Sequence, residues 1–269
     1  VLYLLMMIAI GAFYAKGNNN SEDYFLGGRK LNGFVAALSA QASDMSGWLL
    51  MGLPGAIYLT GVGGDGWIAI GLFIGTTLNW LFIATKLRRY TIRANNSVTL
   101  PTYFENRFHD EKKVLMAVSS ITIVVFFLVY CASALSAGGQ LFESVFGIDY
   151  HVALTIGALV VLVYTFLGGF TAVCVTDFIQ GMLMLVGILA VPLFAYHFLT
   201  TGGTTLSAGL EASGADSANF LNLMKNGDGS NNIVSVISGL GWGLGYFGMP
   251  HILVRFMAVR DEKEMTKSK

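Results

Sequence analysis

Asp44 is the only charged residue between Lys30 and Asp65, in a stretch that is otherwise apolar and long enough to cross a bilayer. A carboxylate near a bilayer centre costs roughly 2.5 to 3.5 kcal/mol on insertion scales, so it normally faces a bundle interior, a water-filled cavity or a partner. Its neighbours Ser39, Ala40, Ala42, Ser43, Ser46 and Gly47 are small or hydroxylated. Weak helix formers, with hydroxyls that compete for backbone hydrogen bonds, predict local unwinding here. Unwinding would free carbonyls of residues such as Ala42 and Met45, and hard cations take oxygen ligands. The competing reading is an unbroken helix whose Asp44 bonds a neighbouring hydroxyl for packing.

A second candidate is SGLGWGLGYFGMPH, from Ser238 to His251. Each interior glycine weakens a helix, and Pro250 removes a backbone donor. A packing face would use four-residue spacing, as in Gly241 and Gly245. Glycine at nearly every second position is spread around the helix and predicts a break instead. Trp242 and Tyr246 are four apart, so they share a face and could wall a pocket; an interfacial belt or core filler is the alternative. Tyr130 brings a hydroxyl into an apolar helix as a pocket wall or a bonded core residue. Gly71 and Gly75 read as a packing face, and Gly168-Gly169 as a tight turn. Asp177 lies near a helix start, whose N-terminus would stabilise it.

The elements that must position these residues are membrane helices. The chain is 54% hydrophobic and 12% charged, with mean hydropathy +0.64, beyond ordinary globular usage. Its apolar runs are helical in length and lack the alternation of barrel strands, and backbone groups in lipid must be satisfied within the element. Segments 1–14, 34–59, 67–84, 115–146, 152–170, 178–199 and 233–257 are read as helices, the first as the end of a longer one. The net charge of zero offers no electrostatic argument for nucleic acid. Cys131 and Cys174 lack metal or disulfide spacing, and the four histidines are scattered.

If connections alternate sides, every Lys and Arg except Lys225 falls on one side. The positive-inside rule makes that side cytoplasmic, placing the chain start outside and the chain end inside. In the inner connection, Pro101 suits a first helical turn and Thr102 with Glu105 has capping-box spacing, predicting a surface helix that packs Tyr103, Phe104 and Phe108. Residues 200–232 read as an outer loop with at most short helical pieces. The charged run after Arg260 stops without a cap or a further span, so the sequence reads as the front part of a longer protein.

SEDYFLGGRKLNGFVAALSAQASDMSGWLLMGLPGAIYLTG (Ser21 to Gly61), TLPTYFENRF, FFLVYCASA, YTFLGGFTAV and GWGLGYFGMPHILVRFMA occur in that order. Together these motifs closely resemble the sodium/solute symporter family, over about 21–259. The resemblance implies an all-α, polytopic membrane protein with a leucine-transporter-like inverted-repeat fold, incomplete here. The single transporter domain 1–269 would hold part of an extra first helix (1–14), the first five-helix repeat (34–199), an outer loop (200–232) and the opening helix of the second repeat (233–257).

The resemblance further implies sodium-coupled uptake of L-proline by alternating access across a bacterial plasma membrane, with no enzyme activity and no cofactor besides the coupling ion. It places sodium against the carbonyls of Ala42 and Met45, with Asp44 and Ser46 needed nearby, and completes the ion site with a Ser/Thr pair beyond Lys269. Its substrate-binding positions are Ser46, Gly47, Trp48, Tyr130, Trp242, Tyr246 and Pro250, and Arg29 matches a loop arginine important for coupling. The expected partners are sodium, L-proline and the lipid bilayer. Alternatives are another solute on the same architecture, a proton in place of sodium, or a membrane sensor with a downstream signalling domain. Nothing suggests a catalytic constellation or a channel filter ring.

Overall fold

A computed structural model describes residues 2–269; Val1, where the first segment was expected to begin, lies outside the described residues. The helices in chain order are α1 (Leu2–Ala15), α2 (Ser21–Leu26), α3 (Gly33–Asp44), α4 (Leu53–Thr60), α5 (Val62–Leu78), α6 (Thr85–Arg93), α7 (Leu100–Phe108), α8 (Val114–Phe146), α9 (Tyr150–Thr201), α10 (Leu206–Ala212), α11 (Ser217–Phe220), α12 (Ile233–Trp242), α13 (Pro250–Ala258) and α14 (Glu262–Ser268). Strand-like pairing among the described residues is confined to two isolated bridges.

Three helical stretches are long and apolar enough to cross a membrane by themselves: Val62–Arg93, Val114–Phe146 and Tyr150–Thr201. Helices cover the seven apolar segments read from the sequence, and shortness or an internal break keeps some of them from passing that test alone. Segments 152–170 and 178–199 are the two halves of α9, which is kinked at Gly169 (φ 61°, ψ −158°), where the sequence placed a tight turn. That positive φ is readily available to glycine, which has no Cβ to clash. Segment 34–59 is divided between α3 and α4, each too short to span alone.

The chain forms two compact units. The first comprises the residues up to Gly47, Leu81–Gln180 and Pro250–Lys269. Its centre is α13 on α3, where Ile252, Leu253, Phe256 and Met257 are buried together with Ala36 and Ala40. Beyond α13 the chain is clasped to the start of α3. Leu31 pairs with Val259, the Glu264 carboxylate accepts the Gly33 amide at 2.9 Å, and the Ser268 hydroxyl donates to the Gly33 carbonyl at 2.9 Å.

Lys267, and then the Gly33 amide, hold the Glu264 carboxyl below its ordinary value of 4.5. A depressed folded-state pKa gives stability that is complete above the unfolded value and is lost as pH falls through the folded one. The clasp should therefore loosen on acidification, and Glu264→Gln should remove that acid step. Hydrogen exchange at the Gly33 amide, followed from neutral to acid pH, reads it directly.

Helix α7 begins earlier than its sequence suggested. Thr99 is the N-cap and forms the box with Thr102, so Pro101 still sits in the first turn. The cap moves because Thr99 is the extended residue (φ −122°) before the helix, whereas Thr102 is already helical. Tyr103 and Phe104 are half-buried, but Phe108 is exposed rather than packed.

The second unit comprises Trp48–Trp80 and Gly181–Met249. Here α5 and α12 touch backbone to backbone: a Cβ on Gly71 would strike Gly239 and Leu240, and one on Gly75 would strike Gly243. The partners of the Gly71/Gly75 face are thus Gly239 and Gly243, not the Gly241/Gly245 pair; Gly241 faces open space. Gly75→Val should cost about 1 to 3 kcal/mol through overpacking, read as a lowered thermal midpoint. The predicted outer loop carries the short helices α10 and α11. It is tied down where the Trp67 indole donates to the Leu223 carbonyl (2.7 Å) and the Asn232 amide donates to the Gly63 carbonyl (2.8 Å).

Candidate functional site

In the first unit, α3 stops at Asp44. Met45 (φ −68°, ψ 86°) leaves the helix while its amide still donates to the Gln41 carbonyl at 3.1 Å. Ser46 is also non-helical, and Gly47 follows. A helix end leaves its last carbonyls without in-line donors, and one of them is taken by a side chain: the Tyr130 hydroxyl donates to the Ser43 carbonyl at 3.2 Å. Ala42 is buried, and Asp44, Met45, Ser46 and Gly47 are half-buried. The break thus gathers peptide oxygens and one carboxylate in a partly dehydrated place, the chemistry a small hard cation requires.

Below the break lies a cluster that sequence reasoning missed. Asp177 lies about two turns beyond the kink of α9 at Gly169, near a helix start as expected, but it is buried there and paired with Arg255 of α13 at 2.8 Å. The same carboxylate oxygen accepts the hydroxyls of Ser39 (2.7 Å) and Ser43 (3.2 Å), and Arg255 Nε donates to the Ser39 hydroxyl at 3.0 Å. Asp177 and Arg255 were placed at helix ends by the alternation of sides. The overlooked signal is that each interrupts an apolar run and they carry opposite charges.

Arg29 is not part of this group. It is buried with φ 53°, and its guanidinium donates to the carbonyls of Met257 (2.7 Å) and Ser97 (2.9 Å) and to Asn96 Oδ1 (3.1 Å), with Glu22 at 3.2 Å. Burial lowers its pKa, and Glu22 opposes that shift. Met257 lies at the far end of α13 from Pro250, roughly 10 Å away by helical rise. Arg29 therefore anchors the C-terminal end of α13, and Pro250 opens its first turn.

In the second unit, the Trp48 and Trp242 rings stack at 5.6 Å with 14° between planes. Trp48 starts a π-helical turn, Trp48–Gly52, and a Cβ on Gly52 would collide with its ring. Trp242 ends α12, which continues as a 3-10 turn over Gly243–Gly248 and then an extended Met249. Tyr246 is buried on that turn, and its carbonyl accepts the Asn79 amide at 2.8 Å. Tighter 3-10 winding changes the register after Trp242, so the four-residue spacing to Tyr246 no longer puts the two rings on one face. Asn79, a lone amide in an apolar run, is another residue that the sequence reading passed over.

The Sodium:solute symporter family profile matches residues 24–269. A sodium/proline symporter of Salmonella typhimurium is 48% identical over 257 residues, which cover 96% of this chain and 49% of that protein. The high-affinity proline transporter PutP of Bacillus subtilis is 47% identical over 263 residues, covering 98% and 54%. The chain spans about half the length of the curated relatives it matches. In three dimensions it shares the fold of a Na+-coupled sialic acid symporter solved in a substrate-bound outward-open state, with TM-score 0.78 at 20% identity over 99% of this chain and 54% of that one. The architecture is thus that of an all-α, multi-pass membrane protein of the leucine-transporter-like class. On this sequence match and this shared fold, the chain belongs to the sodium:solute symporter family.

Proposed function

We propose that the full-length protein imports L-proline by coupling it to inward sodium movement. The observation that carries this reading is the interruption of α3 at Asp44, where peptide oxygens lie beside a single carboxylate. The proline specificity rests on relatives named as proline transporters at 47–48% identity. Sodium is assigned to the carbonyls of Ala42 and Met45, with Asp44 supplying the compensating charge and Ser46 a hydroxyl. Ser46, Gly47, Trp48, Tyr130, Trp242, Tyr246 and Pro250 are assigned to proline. Arg29 acts in coupling, through its hold on the end of α13.

The driving force follows from linkage. Sodium promotes proline binding only as far as it binds the proline-competent state better than the other, and proline raises sodium affinity by the same factor. An ion that stabilises the interrupted geometry of α3 satisfies that condition. The chain would start outside and end in the cytoplasm of a bacterial plasma membrane, a reading supported by the distribution of Lys and Arg. Residues 34–199 would be the first repeat and 233–257 the opening helix of the second.

Uptake of labelled proline by proteoliposomes holding the full-length protein tests this. Uptake should require an inward sodium gradient and stop when choline replaces sodium at fixed pH. Uptake that persists in choline rejects sodium coupling. A sodium-driven flux that excess unlabelled proline does not compete away rejects proline as the solute.

A further inference from the structure

Two chains of contacts meet on Ser43, the residue before Asp44, and both begin at His251. The first runs through polar groups. The His251 carbonyl accepts Arg255 Nη1 at 2.6 Å, the same guanidinium donates through Nη2 to Asp177 Oδ2 at 2.8 Å, and that oxygen accepts the Ser43 hydroxyl at 3.2 Å. The second runs through rings. The His251 imidazole lies against Tyr130 at 5.7 Å and 24°, and the Tyr130 hydroxyl donates to the Ser43 carbonyl at 3.2 Å. Phe127 braces both rings, 5.6 Å from Tyr130 and 5.4 Å from His251. The first two turns of α13 therefore hold the side chain and the carbonyl of one residue, at the point where α3 ends.

The imidazole contributes to this arrangement in an unusual way. Both ring nitrogens are buried and have no hydrogen-bond partner among the described residues. Burying unpaired polar atoms opposes folding, so the ring is not kept in place by its nitrogens. What it offers is a stack on Tyr130 and an edge-on contact with Phe127, both at centroid distances that aromatic pairs prefer.

We propose that His251 is a positioning residue for transport: by stacking on Tyr130 it keeps that hydroxyl on the Ser43 carbonyl and so fixes the break in α3 that presents the neighbouring carbonyls to sodium. This rests on the sodium-coupled reading above. It assigns His251 no contact with sodium or proline; it acts through Tyr130. Loss of the ring should weaken sodium more than it slows turnover, because the chemistry of solute movement lies elsewhere.

The test uses the full-length protein in proteoliposomes and reads the sodium concentration for half-maximal proline uptake separately from the maximal rate. His251→Leu should raise that concentration about tenfold, the worth of one aromatic pair at the upper end of its range. His251→Phe keeps the stacking face and should restore sodium dependence. In the Tyr130→Phe background the carbonyl has already lost its donor, so adding His251→Leu should change sodium dependence no further. If His251→Leu does not reach the membrane, His251→Met carries the same comparison. Unchanged sodium dependence in the Leu or Met variant overturns the proposal. So does failure of Phe to restore it, or an effect that multiplies with Tyr130→Phe. Wild-type protein without sodium-dependent uptake overturns the underlying functional reading, and with it this proposal, whatever the variants do.

Discussion

Replacing Asp44 by Asn in the full-length protein will raise the sodium concentration needed for half-maximal proline uptake by roughly 100-fold, the upper part of the range for losing a charged hydrogen-bonding partner. The carboxylate ends α3 at the one place where the segment stops being helical, and no other charge occurs between Lys30 and Asp65. Asn keeps the shape and one oxygen, so the protein should still insert and fold, while the cation loses its compensating charge in a partly dehydrated environment. Isotopic sodium binding to purified protein, measured beside uptake, separates a lost ion site from a slow carrier. Unchanged sodium binding in the Asn variant would remove Asp44 from the ion site and leave it a packing residue.

Arg255→Met will strongly destabilise the first unit, costing about 3 to 5 kcal/mol because it strands a buried carboxylate. Asp177 and Arg255 are both about nine-tenths buried, and removal of the guanidinium leaves Asp177, among the described residues, with the Ser39 and Ser43 hydroxyls. The thermal midpoint of the purified protein should fall by on the order of 10 °C. Adding Asp177→Leu should restore a large part of the loss, because an apolar pair of similar volume removes the stranded charge instead of leaving it unpaired. If the double variant is as unstable as the sum of the two singles, the pair is not coupled and the buried charges act independently. Transport by a stable double variant then shows whether the pair serves coupling as well as folding.

These two sites differ in how visible they are before folding. Asp44 stands alone in an apolar run, and a lone intramembrane carboxylate announces itself through its cost. Asp177 and Arg255 are 78 positions apart, and each lies close enough to an expected helix end to pass for a solvated charge. Only their meeting in three dimensions shows that both are buried. His251 is less visible still, since its contribution is the face of a ring, and nothing in a sequence distinguishes a stacked histidine from a core one.

The glycines give the same lesson. Five glycines in 238–251 were enough to predict a broken helix, because each weakens helical backbone wherever it points. Which of them pack was not predictable: Gly239 and Gly243 are used, against Gly71 and Gly75, while Gly241 is open. The choice depends on the rotation of α12 about its axis, which is set by the neighbour it meets. The spacing of Trp242 and Tyr246 failed for a related reason, since the 3-10 turn after Trp242 alters the register that a uniform helix would keep.

Composition and hydrophobic run length by themselves determined that this chain is a bundle of membrane helices, because backbone polar groups in lipid allow few other solutions. The order of the motifs pointed to the family, and local chemistry located both helix breaks. The tertiary structure alone decided which residues hold the α3 break in shape: Tyr130 on the Ser43 carbonyl, and Asp177, itself paired with Arg255, on its hydroxyl. The physical reason is that a break is a property of neighbouring residues, whereas the partners of its freed polar groups come from anywhere in the chain and are chosen by packing.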